Sequence, residues 1–437
     1  MINRRFLTPM FLALAVAGCA RTELPRPPEP VLPAAPEPDL EPVAPPLPEL
    51  SMREEGRAIW VPRWDWSTPR GIAQIMERAA SANFNVVYFQ VRANADAFYR
   101  SDIEPCAAML CKRLGGTMTW DPLEVAVQEA HARGLELHAW FNALPGWRAT
   151  YKWTCDELRP SEPGNPKHIL LEHPEYAMVD RTGRRMPCPH PDKNVEYVYL
   201  SPAFPEVRTR LARVVADVVR RYEVDGVHLD RTRYPDRQWS YDRASLEGFG
   251  RDPQSDPVGW NAYRRGLVNA MVKETRDSIS AARPRLPLSA AVWPIYDREA
   301  FKWPSSSGVS QFFQDPRAWA RDGYLDVAAP MTYFTEAPER CQYRLNNPDW
   351  TCLLDDQVRG VQEEIGRHVY VGISPSMPQR KSIAEVERQV ELARERGAKG
   401  VVFWSYGDVD RMKLWEALRQ GVFREPAAVP RMEWLGS

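Results

Sequence analysis

No cluster of lysine or arginine in this chain is dense enough to track a phosphate backbone. The formal charge is only −1 at pH 7, so nucleic acid is excluded as a partner. No HExxH or similar ligand spacing occurs and no CxxC pair is present; neither a metal nor any other cofactor is expected. Long apolar runs are also missing. The first, "FLTPMFLALAVAGC", ends at Cys19 and falls short of the ~20 residues that a membrane helix needs. Cysteine is scarce, with 7 in 437 residues.

What is present begins with export. Arg4 and Arg5 precede the apolar run, the order of an export signal. Val16-Ala17-Gly18-Cys19 resembles a bacterial lipobox. That resemblance implies a signal peptide over 1–19 and lipid on Cys19, which would anchor the chain in a membrane. Ala20, not aspartate, follows the cysteine, which implies the periplasmic face of the outer membrane. Residues 20–52 are proline-dense ("RTELPRPPEPVLPAAPEPDLEPVAPPLPEL" over 21–50), too much so for helix or central strand. They are expected as an extended tether reaching roughly 90 Å at ~3.1 Å per residue. Cys106, Cys111, Cys155, Cys188, Cys341 and Cys352 remain. An even count in an exported chain suggests disulfides; local pairing would join 106–111, 155–188 and 341–352.

From residue 53 to 425 one grammar repeats: an apolar strand, a loop, an amphipathic helix and a short glycine-bearing turn. The strands read as 57–63, 85–93, 136–142, 225–230, 287–294, 325–334, 368–376 and 399–406. In "PEVRTRLARVVADVVRRYE" Val207, Leu211, Val214, Val218 and Tyr222 share a helix face, with arginines opposite. Alternating strands and helices imply parallel neighbours. Eight units imply an α/β fold closed as a (β/α)8 TIM barrel, with a doubly wound open sheet as the alternative. Loops entering strands are short. Those leaving them are long and hold all six remaining cysteines, which marks the C-terminal face of the barrel as the working end. Residues 426–437 are expected as a tail.

Side chains of a strand alternate between faces. Val87, Phe89 and Val91 oppose Tyr88, Gln90 and Arg92; Leu137, Ala139 and Phe141 oppose His138, Trp140 and Asn142; Val227 and Leu229 oppose His228 and Asp230. The apolar sets are expected on the helices and the polar sets in the lumen, with Arg92, Asn142 and Asp230 at the rim. Trp293, Tyr333, Ser374, Trp404 and Tyr406 take similar inward positions, and Trp64 lies near the end of the first strand. Aromatic rings stack on the C–H faces of sugars, and arginine, asparagine and carboxylates bond hydroxyls, so the expected ligand is a polysaccharide. Arg233 and Tyr234, just beyond Asp230, join the candidate substrate contacts.

The stretches "RAIWVPRWDW", "NFNVVYFQVRANADAFYRSDIEP", "WDPLEVAVQEAHARGLELHAWFN", "HPEYAMVDRTGR", "YLSPAFPEVR", "YEVDGVHLDRTRYP" and "GVVFWSY" together resemble the bacterial family-10-like glycosyl hydrolases. The resemblance implies a TIM-barrel polysaccharide hydrolase. It also implies, by analogy with a division-associated member, peptide-free peptidoglycan strands as substrate and cell-division proteins as partners. In many relatives a second acidic residue follows the position of Asp230; here it is Arg231. Glycoside hydrolysis uses two carboxyls. Asp230 is the first candidate, with Arg231 or Arg233 placed to keep it charged; Asp96 and then Glu336 are candidates for the second. A non-catalytic glycan-binding lipoprotein is the competing reading, motivated by Arg231.

Overall fold

The computed structural model describes residues 52–192, 195–297, 306–336 and 349–436. Cys19, the tether up to residue 50 and Cys341 lie outside them.

Eight parallel strands close into a barrel in chain order: β1 Gly56–Val61, β2 Val86–Arg92, β3 Glu136–Asn142, β4 Gly226–Asp230, β5 Leu288–Val292, β6 Val327–Pro330, β7 His368–Ile373 and β8 Gly400–Phe403. The seam joins β8 to β1, Gly400 opposite Gly56 and Phe403 opposite Ile59. The main outer helices are α1 Pro69–Ser81, α2 Pro122–His131, α3 Pro205–Arg221, α4 Pro257–Ala282, α5 Pro316–Arg321, α6 Trp350–Gln357, α7 Ile383–Glu395 and α8 Tyr406–Arg411. No described helix is long and apolar enough to cross a membrane.

Several helices begin with the same local chemistry. Thr68-Pro69, Asp121-Pro122, Asp256-Pro257 and Asp315-Pro316 each place a side-chain acceptor at the N-cap and a proline at the first helical position. The acceptor serves a free N–H, and proline has none to leave unpaired there. Val207, Leu211, Val214 and Val218 are buried on α3 as their spacing requires.

Strand alternation sorts the core into two layers, as expected. Val87, Phe89, Leu137, Phe141, Val227 and Leu229 pack in the outer core under the helices. Trp60, Tyr88, Trp140, Ala291, Tyr370 and Val402 fill the lumen. Glycines at strand starts make room for large rings on the barrel floor: a Cβ on Gly56 would lie 2.2 Å from the Tyr370 ring, and one on Gly226 2.3 Å from His138 Nδ1.

The lumen is polar at one point. Trp60 Nε1 donates to His228 Nε2 (3.0 Å), so Nδ1 carries the proton and meets Ser289 Oγ at 2.8 Å. Ser289 Oγ in turn donates to the Val227 carbonyl (3.2 Å). Tyr88 stacks on the imidazole, with ring centroids 4.0 Å apart. Burial holds the ring neutral by pushing its pKa well below the ordinary histidine value.

The segment expected as a tail is part of the body. Ala427–Ala428 pairs in parallel with Arg53–Glu54, Val429 and Met432 pack against the lumen cluster, and Trp434 Nε1 donates to Asp326 Oδ1 (2.8 Å). Disulfides join Cys106 to Cys111 and Cys155 to Cys188, as local pairing implied. Cys352 is also disulfide-bonded.

Trp60→Phe deletes the donor to His228 and leaves a buried acceptor unpaired. Urea unfolding is expected to show a loss of about 1–3 kcal/mol; an unchanged midpoint would mean that the imidazole finds another donor.

Candidate active site

Asp230 ends β4 opposite Asn142 of β3, and its side chain is 12% exposed at the mouth. The Arg231 N–H donates to Oδ1, and Arg233 Nη1 stands 3.5 Å from the same oxygen. Arg231 has φ +53°, a left-handed conformation that costs a non-glycine residue energy. Its guanidinium lies over the Tyr197 ring (5.2 Å) and on Glu196 (2.8 Å). Tyr197–Tyr199 is one strand of a two-stranded antiparallel sheet whose other strand is Pro145–Arg148.

Aromatic rings line the space beside this carboxylate. Arg233 lies over Trp293 at 5.5 Å. Tyr333 has its hydroxyl pushed well above the ordinary tyrosine range by burial and by the charge of Asp230. It stacks on Trp404 with centroids 6.2 Å apart, and Trp404 meets Trp60 and Trp140 edge-on at 5.9 and 6.0 Å. Asn142 Nδ2 donates to the Ala93 carbonyl (3.1 Å). Two buried polar atoms of this layer, Asn142 Oδ1 and Trp140 Nε1, have no protein partner. Such atoms cost free energy unless a ligand or water serves them. Asp230, Arg233, Asn142, Trp140, Trp293, Tyr333 and Trp404 therefore form one constellation.

A second group lies where the chain leaves β1 and β2. Gln90 Oε1 accepts from the backbone N–H and Nη1 of Arg63, both at 3.1 Å. Trp64 stands 52% exposed beneath the Arg63 guanidinium (4.9 Å). Asp96 is buried and accepts from the Asn94 N–H (2.8 Å). Burial raises its carboxyl above the usual range, against the lowering effect of that N–H and of Arg63. Asp96, Asn94 and Arg63 border a cavity of about 740 Å³ whose far wall includes Trp147 and Arg148.

Other expected contacts lie elsewhere. A register shift between Gln90 and Arg92 sets Arg92 opposite Phe141, on the helix side. Its guanidinium grips buried Glu104 (2.8 Å) and the Asn142 and Ala143 carbonyls, a brace rather than a rim ligand. His138 sits on the floor beside Gly226, and His228 is fully buried with both nitrogens engaged. Tyr234 is fully buried against Phe313 and Arg264, because strand alternation ends at Asp230. Tyr406 begins α8 after β8 has ended at Phe403; its hydroxyl faces outward to Arg78 of α1 (3.1 Å). Glu336 pairs with Arg388 of α7 at 2.7 Å, which occupies its carboxylate away from Asp230.

Sequence reasoning passed over Glu196, Tyr197 and Tyr199, although "EYVYL" alternates like a strand. It also passed over Asp65, whose Oδ2 accepts from the Gly407 N–H at 2.9 Å. No group of acidic, histidine and cysteine side chains among the described residues is arranged to hold a metal ion.

The model of a family described as glycosyl hydrolase-like 10 matches residues 55–365. The chain is 28% identical over 411 residues to glycosyl hydrolase YngK of Bacillus subtilis, covering 87% of this chain and 74% of that protein. It is 25% identical over 371 residues to glycosyl hydrolase DigH of Escherichia coli K12, covering 78% of each. Among solved structures, the glycoside hydrolase domain of PgaB from Bordetella bronchiseptica aligns with a TM-score of 0.58 at 16% identity, covering 84% of this chain and 98% of that one. The catalytic domain of β-amylase from Paenibacillus polymyxa aligns with a TM-score of 0.54 at 10% identity, covering 82% and 94%. At such identities the likeness concerns the barrel alone.

Asp65 offers a pH test. Burial first, then Asp408 and Asp410, raise its carboxyl from 3.8 to about 6. The fold is thus penalised for ionising Asp65, a penalty absent at low pH that grows as the pH rises towards 6. Asp65→Asn mimics the protonated form. It is expected to raise Tm at about pH 8 and to change it little at about pH 4; equal shifts at both would assign the effect to packing.

Proposed function

Because the chain belongs to the glycosyl hydrolase-like 10 family and is a glycoside hydrolase, we propose that it cleaves peptide-free peptidoglycan strands by carboxylate acid/base catalysis. The observation that carries the mechanism is Asp230: a carboxylate at a barrel strand tip, flanked by Arg233 and faced by Tyr333, Trp404 and Trp293. The rings offer flat apolar surfaces to sugar C–H faces, and Asn142 Oδ1, at the level of Asp230, has no protein partner and can accept from a hydroxyl or amide group.

Hydrolysis through an oxocarbenium-like transition state needs a carboxylate at the anomeric carbon and an acid at the leaving oxygen. Asp230 takes the first role. Asp96, its carboxyl raised by burial, takes the second, since a protonated carboxyl is what the leaving oxygen requires. The lipobox and proline-dense tether support placing the enzyme on the periplasmic face of the outer membrane through lipid on Cys19. Resemblance to the division-associated member supports partners in cell division.

Asp230→Asn is expected to lower product release from peptide-free glycan strands by about a thousandfold, read by mass spectrometry, with glycan binding retained. Asp96→Asn should lose that activity yet keep much more of it on an aryl glycoside, whose leaving group needs no proton. Near wild-type turnover by Asp230→Asn overturns its assignment; wild-type binding without any reducing ends would make the protein a glycan-binding lipoprotein.

A further inference from the structure

Resting on that reading of the substrate, we propose that the cavity beside Asp96 is a subsite for a sugar bearing a carboxylate, and so selects an anionic glycan over a neutral one. The cavity, about 740 Å³, is walled by the segments that follow β1, β2 and β3, so it belongs to the working face of the barrel. The disulfides Cys106–Cys111 and Cys155–Cys188 tie two of these segments. The strand that gives it Trp147 and Arg148 pairs with the strand carrying Tyr197 beneath Arg231. The cavity and the Asp230 constellation thus share a wall.

Its lining suits a charged sugar. Trp147 and Phe98 present apolar surface. Asn94 is 9% exposed, and its Oδ1 has no protein partner, an acceptor waiting for an O–H or amide N–H. Five cations face three carboxyls across the cavity, and burial biases two of those carboxyls, Asp96 and Glu157, towards their neutral forms. The cations differ in availability. Arg63 is committed to Gln90, Arg113 to the Pro160 carbonyl and Arg159 to the Asp156 carbonyl. Lys112 and Arg148 form no ion pair or side-chain hydrogen bond among the described residues. Lys112 directly follows Cys111, with φ +64°, so the bridge fixes where its side chain starts. Arg148 already acts on Glu157 through its charge, so the two cations, set among Asp156 and Glu157, suit a singly charged carboxylate better than a doubly charged phosphate, which the two acids would oppose more strongly.

Binding, not turnover, tests this. Calorimetry on the full chain would compare two β-1,4-linked oligosaccharides of equal length: a neutral N-acetylglucosamine oligomer, and a peptide-free glycan oligomer whose alternate sugars carry a carboxylate. The anionic oligomer is expected to bind about tenfold tighter at low salt, the scale of one charge-assisted contact. In Lys112→Gln/Arg148→Gln the ratio of the two affinities should fall to about one, with circular dichroism confirming the fold. Equal affinities in the wild type, no binding of either oligomer, or a preference that survives the double substitution overturns the proposal. A preference that vanishes as expected while the wild type cleaves neither oligomer upholds the subsite and defeats only the hydrolytic reading.

Discussion

The hydrogen bond from Trp60 to His228 is what allows this barrel to be solid below its mouth. An eight-stranded barrel leaves an interior just wide enough for side chains, and any polar group placed there must find partners inside. His228 does so with both nitrogens, between an indole and a serine, under a stacked phenol. The lumen is filled to that level, and Asp230, Asn142 and Trp404 stand above it.

Within that layer the unusual choice is Arg231. Its left-handed backbone and its contact with Glu196 and Tyr197 make it a strut between the β4 tip and the antiparallel pair of strands that holds Tyr197. The carboxylate at this tip is then single. Asp96, on the segment after β2, is buried, which raises its carboxyl above the usual range. The same pair of strands borders the cationic cavity, so the strut links the Asp230 constellation to that wall.

Much of this was legible beforehand because strands obey a period of two. Alternation alone placed Val87 and Phe89 under helices, Tyr88 and Trp140 in the lumen, and Asp230 at the rim. It failed where the period itself failed. The irregularity between Gln90 and Arg92 turned Arg92 outward to Glu104; β4 stopped at Asp230, leaving Tyr234 to pack on α4; β8 stopped at Phe403, leaving Tyr406 on the helix side. Depth was read in part: Asn142 was expected at the rim and stands there beside Asp230, whereas His138 and His228, counted as substrate contacts, lie below it with protein around them. The Arg231–Glu196 pair was invisible because the segment between those residues holds the whole of α3.

The pairing of Arg53–Glu54 with Ala427–Ala428 bears on the shape of the polypeptide as a ring. A cylinder of strands has no edge, and here the first and last strands among the described residues run side by side under its base, next to the β8–β1 seam. The path of the backbone nearly closes on itself. Both strands lie at the end of the cylinder where β1 begins, opposite the tip that carries Asp230, so the closure of the chain and the opening of the barrel occupy different ends.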